Sequence, residues 1–334
     1  MATTVNTAFK EFMKNIVNLD PDETSKARRS RDWLIQQIDT FESKAGLPKM
    51  YSEIDIHFGS FARRTKIREL DDIDIMIGLS AQGGSYETNS NGAIELTVPD
   101  SATTLLPLCH DYTKKINSRK VINKFISELS TISQYKKAEI KRNQEAATLE
   151  LNTYTWNFDI APCFMTKPEY DGRTYYLIPD GNGNWKKTDP RLDRDNAKRI
   201  NTKHNGKVLD AIRIIKYWNR RATMPTMPSY LLECILLSFF DSQQETPNYI
   251  DWQVRDVLLH LSSAVYSDVQ DPKRIQGNLN NLTYEDKQKI SSKALTDYYK
   301  TVDASQFETD GDHKSAINKW REIFGSNFPE YTVQ

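Results

Sequence analysis

The chain has 334 residues, enough for one large domain or two closely packed ones with an ample hydrophobic core. Its 45 Lys and Arg residues balance 45 Asp and Glu residues, so the formal net charge is zero. This balance argues against a protein that binds long duplex nucleic acid, although a local basic patch is compatible with it.

The cysteines and the apolar stretches narrow the class of protein further. Cys109, Cys163 and Cys234 lie far apart and form no Cys-x-x-Cys pair, which argues against a zinc ribbon or a disulfide framework. The first residues show neither the basic nor the apolar region of a signal peptide. The longest apolar stretch, around 230–240, is too short to span a bilayer and contains Glu233. We therefore expect a cytoplasmic protein that makes no membrane contact.

The first half of the chain alternates between helical and strand patterns. Apolar residues at helical spacing predict helices over 8–17 and 22–45, the second introduced by Asp20-Pro21. One or two further helices are predicted over 105–129, and a stretch rich in Gly, Ser and Asn predicts a loop. The strands are predicted at 52–58, 73–79, 138–142, 147–151 and 155–160, and the loop at 81–91.

From Pro190 onward the apolar spacing is helical almost throughout. These helices are predicted at about 191–204, 207–221, 229–241, 250–264, 284–302 and 312–324. We therefore divide the chain into two parts. Residues 1–189 combine N-terminal helices with a sheet, and residues 190–334 form a helical lobe.

Two carboxylates separated by one apolar residue mark the strand predicted at 73–79. Side chains two apart on a strand share a face, so Asp72 and Asp74 point the same way while Ile73 points to the other face. Paired carboxylates repel unless a cation joins them, and Mg²⁺ binds carboxylate and phosphate oxygens together. The alternative is that Asp71 and Asp72 merely end a turn. On a strand, however, Asp71 would share the face of Ile73, so only Asp72 and Asp74 share a face, and this pairing favours a metal site.

Gly59-Ser60 lies between the strand predicted at 52–58 and this acidic pair, with Asp72 twelve residues after Ser60. Glycine lets the backbone approach a polyphosphate, and Ser60 adds a hydroxyl and an N–H. The commoner meaning of the dipeptide is an ordinary turn from strand to helix. Four cations that follow it would either steer a polyanion or form a solvated helix face. They are Arg63, Arg64, Lys66 and Arg68.

This arrangement resembles the DNA polymerase β-type nucleotidyltransferases, in which Gly-Ser precedes two acids and a later strand carries a third. Asp159, within Trp156 to Pro162, fits the third acid. Ordered matches at Arg213 to Asn219 and at Pro228 to Glu233 narrow the resemblance to the bacterial CD-NTases, relatives of cyclic GMP-AMP synthase and oligoadenylate synthase. Further matches are Tyr176 to Asp180, Trp185 with Thr188-Asp189-Pro190, and Trp320 to Gly325 with Phe328-Pro329.

The resemblance implies an α/β fold: a polymerase β-like core sheet, a helical second lobe, bracing N-terminal helices, and substrate in the cleft between the lobes. It makes Asp72, Asp74 and Asp159 the catalytic residues, which bind two Mg²⁺ or Mn²⁺ ions. Asp159 taken alone, between Phe158 and Ile160, could equally be an ordinary hydrogen-bonded carboxylate.

The resemblance also implies a set of nucleotide-binding residues, namely Gly59, Ser60, Lys216, Ser229 and Tyr230. In the related synthases a lysine at the place of Lys216 reaches the triphosphate, and a Ser-Tyr pair holds phosphate and base. The segment 190–221 has ten Lys and Arg against three Asp, so its face is basic whatever Lys216 does. The alternatives are a solvated charge for Lys216 and plain core packing for Tyr230.

The implied product is a cyclic di- or trinucleotide second messenger, made from NTPs including ATP with release of pyrophosphate, in bacterial anti-phage (CBASS) signalling. The implied partner is an effector protein that binds this product. No inserted Cys/His element suggests zinc, and activation by long duplex DNA is not expected. Two alternatives stay open: linear oligonucleotide synthesis or nucleotide addition to RNA 3′ ends, and an inactive nucleotide-binding scaffold.

Overall fold

A nine-stranded sheet runs through the part of the chain described in the computed structural model, which is residues 2–43 and 47–333. Its strand order is β1-β2-β7-β8-β9-β4-β3, with β6 beside β7 and β5 beside β6. The strands are β1 (Ile56–Phe58), β2 (Asp72–Gly78), β3 (Ser85–Thr88), β4 (Ile94–Thr97), β5 (Glu139–Asn143), β6 (Ala146–Glu150), β7 (Asn157–Met165), β8 (Tyr176–Pro179) and β9 (Trp185–Thr188).

Strands β2 and β7 run parallel to each other, and every other neighbouring pair in the sheet is antiparallel. Alternation explains why these two segments form strands. Ile73 and Ile75 of β2, and Phe158 and Ile160 of β7, are all at most 1% exposed, and the residues between them are half-buried. A pleated strand places such residues on opposite faces, so one face packs into the core while the other carries the polar side chains.

The helices divide between the two halves of the chain. They are α1 (Val5–Phe12), α2 (Pro21–Asp39), α3 (Gly59–Ala62), α4 (Ser118–Leu129), α5 (Pro190–Lys203), α6 (Val208–Arg220), α7 (Ser229–Ser242), α8 (Ile250–Ala264), α9 (Tyr284–Thr309) and α10 (His313–Phe324). Local signals define several ends. The Asn117 side chain caps α4 by accepting from two backbone N–H groups, and the Thr283 side chain caps α9 by accepting from the Asp286 N–H.

Contacts divide the chain into two units. Unit 1 contains Met1–Asp20, Arg63–Arg68 and Leu192–Gln334, and unit 2 contains Pro21–Ala62 and Glu69–Arg191. The sheet belongs to unit 2, while unit 1 is helical. This grouping differs from a continuous division at 189/190, because two short segments from the first part of the chain belong to the helical unit.

An aromatic cluster ties the N-terminal segment to the C-terminal helices of unit 1. The Phe9 ring lies 4.7 Å from Trp320 and 5.0 Å from Phe328, measured between ring centroids and in edge-to-face orientation. Phe12 packs against Phe324 and Phe328 at 5.3 and 5.0 Å. All of these rings are at most 2% exposed, so burial of their large apolar surface holds α1 in this unit.

The structure corrects several expected elements. The loop predicted at 81–91 contains β3, so that prediction was wrong. The strand predicted at 52–58 begins as a 3-10 turn at Ser52–Ile54, and its extended part is only β1. The helix predicted at 8–17 starts at Val5 and continues as a π-helix at Met13–Val17. In the described part of the chain, no helix is both long and apolar enough to cross a membrane.

Candidate active site

Strand β2 presents Asp72 and Asp74 on one face of the sheet. Both side chains are half-buried, whereas Ile73 and Ile75 between and after them are 1% and 0% exposed. Asp71 precedes the strand and is exposed. The predicted alternation is therefore confirmed, and the shared face belongs to Asp72 and Asp74.

Strand β7 brings the third predicted acid beside this pair. Asp159 is the register partner of Asp74 across the parallel ladder, and Asn157 is the partner of Asp72. Register partners in neighbouring strands carry side chains on the same face, so the carboxylates of Asp74 and Asp159 lie on one face of the sheet. Asp159 is half-buried between Phe158 and Ile160, which are both fully buried. Asp159, 85 positions after Asp74 in the sequence, thus lies on the same face of the sheet as Asp72 and Asp74.

Strand β6 adds a residue that the sequence analysis missed. Thr148 faces Asp159 across the antiparallel ladder, is 5% exposed, and donates its hydroxyl to the Asp159 Oδ1 atom at 2.5 Å. A short hydrogen bond to a carboxylate fixes the rotamer of that side chain and leaves its second oxygen for another partner. The available signal was a threonine between the apolar residues Ala147 and Leu149 of strand β6.

Gly59 lies against the Asp74 carboxylate, at the point where β1 ends and α3 begins. Its φ is +70°, and a Cβ built on it would lie 1.8 Å from Asp74 Oδ2. Any L side chain there would both strain the backbone and displace the carboxylate. Ser60 follows as a half-buried residue of α3. The Gly-Ser dipeptide is therefore a strand-to-helix turn in form, and the glycine is required by the acid beside it.

The donor set of this face suits a hard divalent cation that is shared with a substrate. Within residues 2–43 and 47–333, no group of three or more His, Cys, Asp or Glu side chains is arranged to hold a metal ion unaided. Mg²⁺ is commonly held by one or two carboxylates together with substrate phosphates and water, so it needs no complete protein cage. Asp74 and Asp159, in register, with Asp72 on the same face, fit that partial role.

Lys216 is buried in an ion-pair network within unit 1. Its Nζ atom donates to Glu233 Oε1 at 2.7 Å and to the Thr65 carbonyl at 3.1 Å, and the residue is 4% exposed. Arg63 donates to the other carboxylate oxygen of Glu233 at 2.9 Å. The solvated-charge alternative for Lys216 is therefore wrong, and Arg63 is a buried structural partner as well.

The electrostatics of this network follow from burial and pairing. Burial lowers the pKa of Lys216, and the Glu233 charge offsets this only in part. Burial raises the pKa of Glu233, but the charges of Arg63 and Lys216 outweigh it and hold that pKa below its ordinary value. The available sequence signal was Glu233 itself, because an acid within an apolar helical stretch requires a cation.

Tyr230 and Ser229 open helix α7. Tyr230 is half-buried, and its hydroxyl donates to Asp193 Oδ1 at 2.7 Å and accepts from Lys273. The Lys273 Nζ atom also lies 4.2 Å from the centroid of the Tyr230 ring. Plain core packing does not describe this residue, since it belongs to a polar network, and burial raises the pKa of its hydroxyl. Ser229 is exposed. The nucleotide-binding roles of these two residues and of Lys216 stay predictions.

A known protein resembles this chain over nearly its whole length. No family model matches the chain. A probable cyclic nucleotide synthase of Bacillus cereus strain VD146 is 45% identical over 334 residues, covering 99% of this chain and 99% of that protein. This chain belongs to the bacterial CD-NTase family.

Solved structures support the fold of this CD-NTase. Escherichia coli MS115-1 CdnC, in a complex with HORMA-deltaN, matches it with a TM-score of 0.69 at 17% identity, over 97% of this chain and 98% of that one. The Vibrio cholerae DncV cyclic AMP-GMP synthase, in complex with the linear intermediate 5′ pppA(3′,5′)pG, matches with a TM-score of 0.64 at 14% identity, over 98% and 97%. The expected α/β nucleotidyltransferase fold, with its sheet and helical lobe, is confirmed.

Proposed function

We propose that this CD-NTase joins NTPs, ATP among them, into a cyclic di- or trinucleotide and releases pyrophosphate. The observation that carries the proposal is the register of Asp74 with Asp159 and the position of Asp72 on the same face. The 45% identical relative, a probable cyclic nucleotide synthase, supports cyclic rather than linear synthesis. The linear intermediate bound to a protein of the same fold is consistent with synthesis in two successive bond-forming steps.

Asp72, Asp74 and Asp159 would hold two Mg²⁺ or Mn²⁺ ions together with the NTP. When bound, such ions neutralise the triphosphate and lower the pKa of the attacking ribose hydroxyl. The chain contributes orientation: Thr148 holds Asp159 through Oδ1, which would leave Oδ2 for the cation. Gly59 contributes space, because its backbone lies against the Asp74 carboxylate without a side chain. The α-phosphorus is then attacked in line and pyrophosphate leaves.

Gly59, Ser60, Lys216, Ser229 and Tyr230 are proposed to contact the nucleotide. Ser60 would offer its N–H and hydroxyl to phosphate, and the exposed Ser229 its hydroxyl. Lys216 and Tyr230 are engaged with Glu233 and with Asp193 in this arrangement, so contact with a nucleotide requires an exchange of these partners. A higher apparent Kd for ATP in Lys216→Met, at unchanged thermal stability, would support direct contact.

The biological setting is also part of the proposal. We place the product as a second messenger in CBASS anti-phage defence, read by a separate effector protein. The complex of Escherichia coli CdnC with HORMA-deltaN supports the idea that a protein of this fold works with a dedicated protein partner. Expression of this protein with a candidate effector in a phage-sensitive host, with and without Asp74→Asn, tests this setting.

The product test uses the purified full chain, Mg²⁺ and a mixture of the four NTPs, with mass spectrometry as the readout. We expect a species whose mass equals two or three nucleoside monophosphates minus one water for each linkage, and which keeps its phosphates in alkaline phosphatase. A ladder of phosphatase-sensitive oligomers would indicate linear synthesis instead. The absence of any product under all metal and NTP conditions would favour the inactive scaffold.

A further inference from the structure

A pocket lies within unit 2, and its lining includes none of the three acids. Its volume is about 550 Å³, a size that accommodates a small organic molecule. One wall comes from helix α2 and the others from residues 134–135 and 151–154. None of the sequence motifs that carry the CD-NTase resemblance lines this pocket, so the proposed function leaves it unexplained.

The α2 wall is cationic. Lys26, Arg29 and Trp33 are spaced by three and four residues, which places them on one face of the helix, and all three line the pocket. Lys26 and Arg29 are exposed, and among the described residues no carboxylate forms an ion pair with either. Two exposed cations at one pocket, neither of them held in an ion pair among the described residues, make a favourable site for an anion.

The remaining walls are aromatic. Trp33 meets Tyr135 edge to face, with ring centroids 5.6 Å apart. Tyr154 lines the pocket, is 45% exposed, and stacks on the buried Trp156 with a centroid distance of 4.4 Å and an interplanar angle of 21°. A tyrosine held flat by a buried tryptophan is a rigid platform for a planar ring, because stacking tolerates any flat π-face.

Two buried donors in this region, one of them on the lining residue Tyr135, have no partner. The Tyr135 hydroxyl and the Trp156 indole N–H are buried and, within the described part of the chain, make no hydrogen bond. Burial also raises the pKa of the Tyr135 hydroxyl, which is therefore a neutral donor. Buried polar groups are almost always paired, so the Tyr135 hydroxyl would gain the partner it lacks from a ligand that reaches it with an acceptor.

We propose that this pocket binds a nucleoside monophosphate. The phosphate would lie at Lys26 and Arg29, the base would stack on Tyr154, and a polar edge of the base would accept from Tyr135. Each part of the ligand corresponds to one observation: two exposed cations, a supported aromatic face, and an unpartnered donor. The site needs no metal, which separates it from the chemistry proposed at the three acids.

The test is calorimetric titration of AMP into the full-length Asp74→Asn variant in EDTA, which prevents both turnover and metal-dependent binding. We expect one AMP per chain, and affinities lower by at least about tenfold for adenosine alone and for inorganic phosphate alone. The double variant Lys26→Ala/Arg29→Ala should lose at least about tenfold in AMP affinity. Arg28→Ala is the matched control, because Arg28 is an exposed cation of the same helix outside the pocket lining.

Tyr135→Phe separates ligand binding from a structural role. Removing a buried hydroxyl without a partner should leave the melting temperature of the free protein unchanged or raise it, while AMP affinity falls by about tenfold. The proposal is overturned if AMP does not bind in EDTA, or if it binds equally well to the double variant and to Arg28→Ala. Product synthesis by the wild-type chain is measured separately, so the pocket proposal and the proposed function can fail independently.

Discussion

The two units use their charged residues in opposite ways. In unit 2, Asp72, Asp74 and Asp159 gather like charges on one half-buried face of the sheet. In unit 1, Lys216, Glu233 and Arg63 form an alternating network whose side chains are 5%, 2% and 12% exposed. The first arrangement brings three acids together, whereas in the second the Glu233 carboxylate pairs with both cations and offsets one of their two positive charges.

The acidic face of unit 2 is suited to a chemical role, whereas the ion-pair network of unit 1 is suited to a structural one. The acids on one strand face are the carboxylate donors at which we propose a bound cation. Opposite charges buried together fix local geometry, since breaking either contact leaves an unpaired charge inside the protein. The network in unit 1 holds the Thr65 carbonyl through Lys216, and Arg213 holds the Arg64 carbonyl at 2.6 Å. Both contacts fasten the short segment Arg63–Arg68 to helix α6.

Asp74→Asn should show the largest effect, because it removes one charge from the acidic face at the position in register with Asp159. We expect product formation to fall by about a thousandfold, the order associated with several kcal/mol of lost transition-state stabilisation. Circular dichroism and the melting temperature should be retained. Asp71→Asn is the matched control, since Asp71 is exposed and precedes the strand. Equal losses of activity in the two variants would contradict the assignment of Asp74, and not Asp71, to the acidic face.

The acidic face could be predicted from sequence because alternation is a local rule. Side chains two positions apart on a strand share a face, and this rule places Asp72 and Asp74 together whatever the rest of the fold is. The third acid was different: Asp159 was assigned from resemblance, and only the pairing of β2 with β7 shows it beside Asp74. Strand pairing depends on contacts between distant segments, so the periodicity of either strand alone carries no information about it.

The environment of Lys216 could not be predicted for a related reason. An amphipathic helix shows which residues face the core, but not which residue from another segment arrives there. Glu233 lies 17 positions away on α7 and Thr65 lies 151 positions away. Glu233 did stand out as an acid in an apolar stretch, and its partners could have been sought among nearby cations. Thr148 was missed because a single threonine is an ordinary strand residue.

Glu233→Leu tests the architectural side of the comparison. It leaves Lys216 and Arg63 buried without a counter-charge, so we expect unfolding free energy to fall by about 3–5 kcal/mol, measured by urea denaturation. The exposed pair Lys289–Glu285 supplies the control, and Glu285→Leu should leave the denaturation midpoint nearly unchanged. If the two variants lose equal stability, the network of Lys216, Glu233 and Arg63 contributes no more to the free energy of unfolding than an exposed ion pair does.

Thr148→Val tests how Asp159 is oriented on the acidic face, since it removes the hydrogen bond to Asp159 Oδ1 while keeping the shape of the side chain. Loss of a hydrogen bond to a charged group corresponds to about 1.5–3 kcal/mol, so turnover should fall between about tenfold and a hundredfold. The Mg²⁺ concentration for half-maximal rate should rise, and Thr148→Ser should restore it. A Thr148→Val enzyme with an unchanged Mg²⁺ requirement would show that Asp159 is oriented by other contacts.

Asp251 presents a third case, a buried carboxylate that has no ion-pair partner among the described residues. It is 8% exposed at the start of α8, and burial, with the Glu308 charge, raises its pKa from 3.8 to about 6. The folded protein therefore holds this proton more tightly than the unfolded chain, so stability declines as pH rises from about 4 to about 6. Asp251→Asn should gain about 1–3 kcal/mol at pH 7 and nothing near pH 4, as measured by chemical denaturation at both values. Asp256→Asn, half-buried on the same helix, is the control, and an equal gain there would show that burial of Asp251 is not the cause.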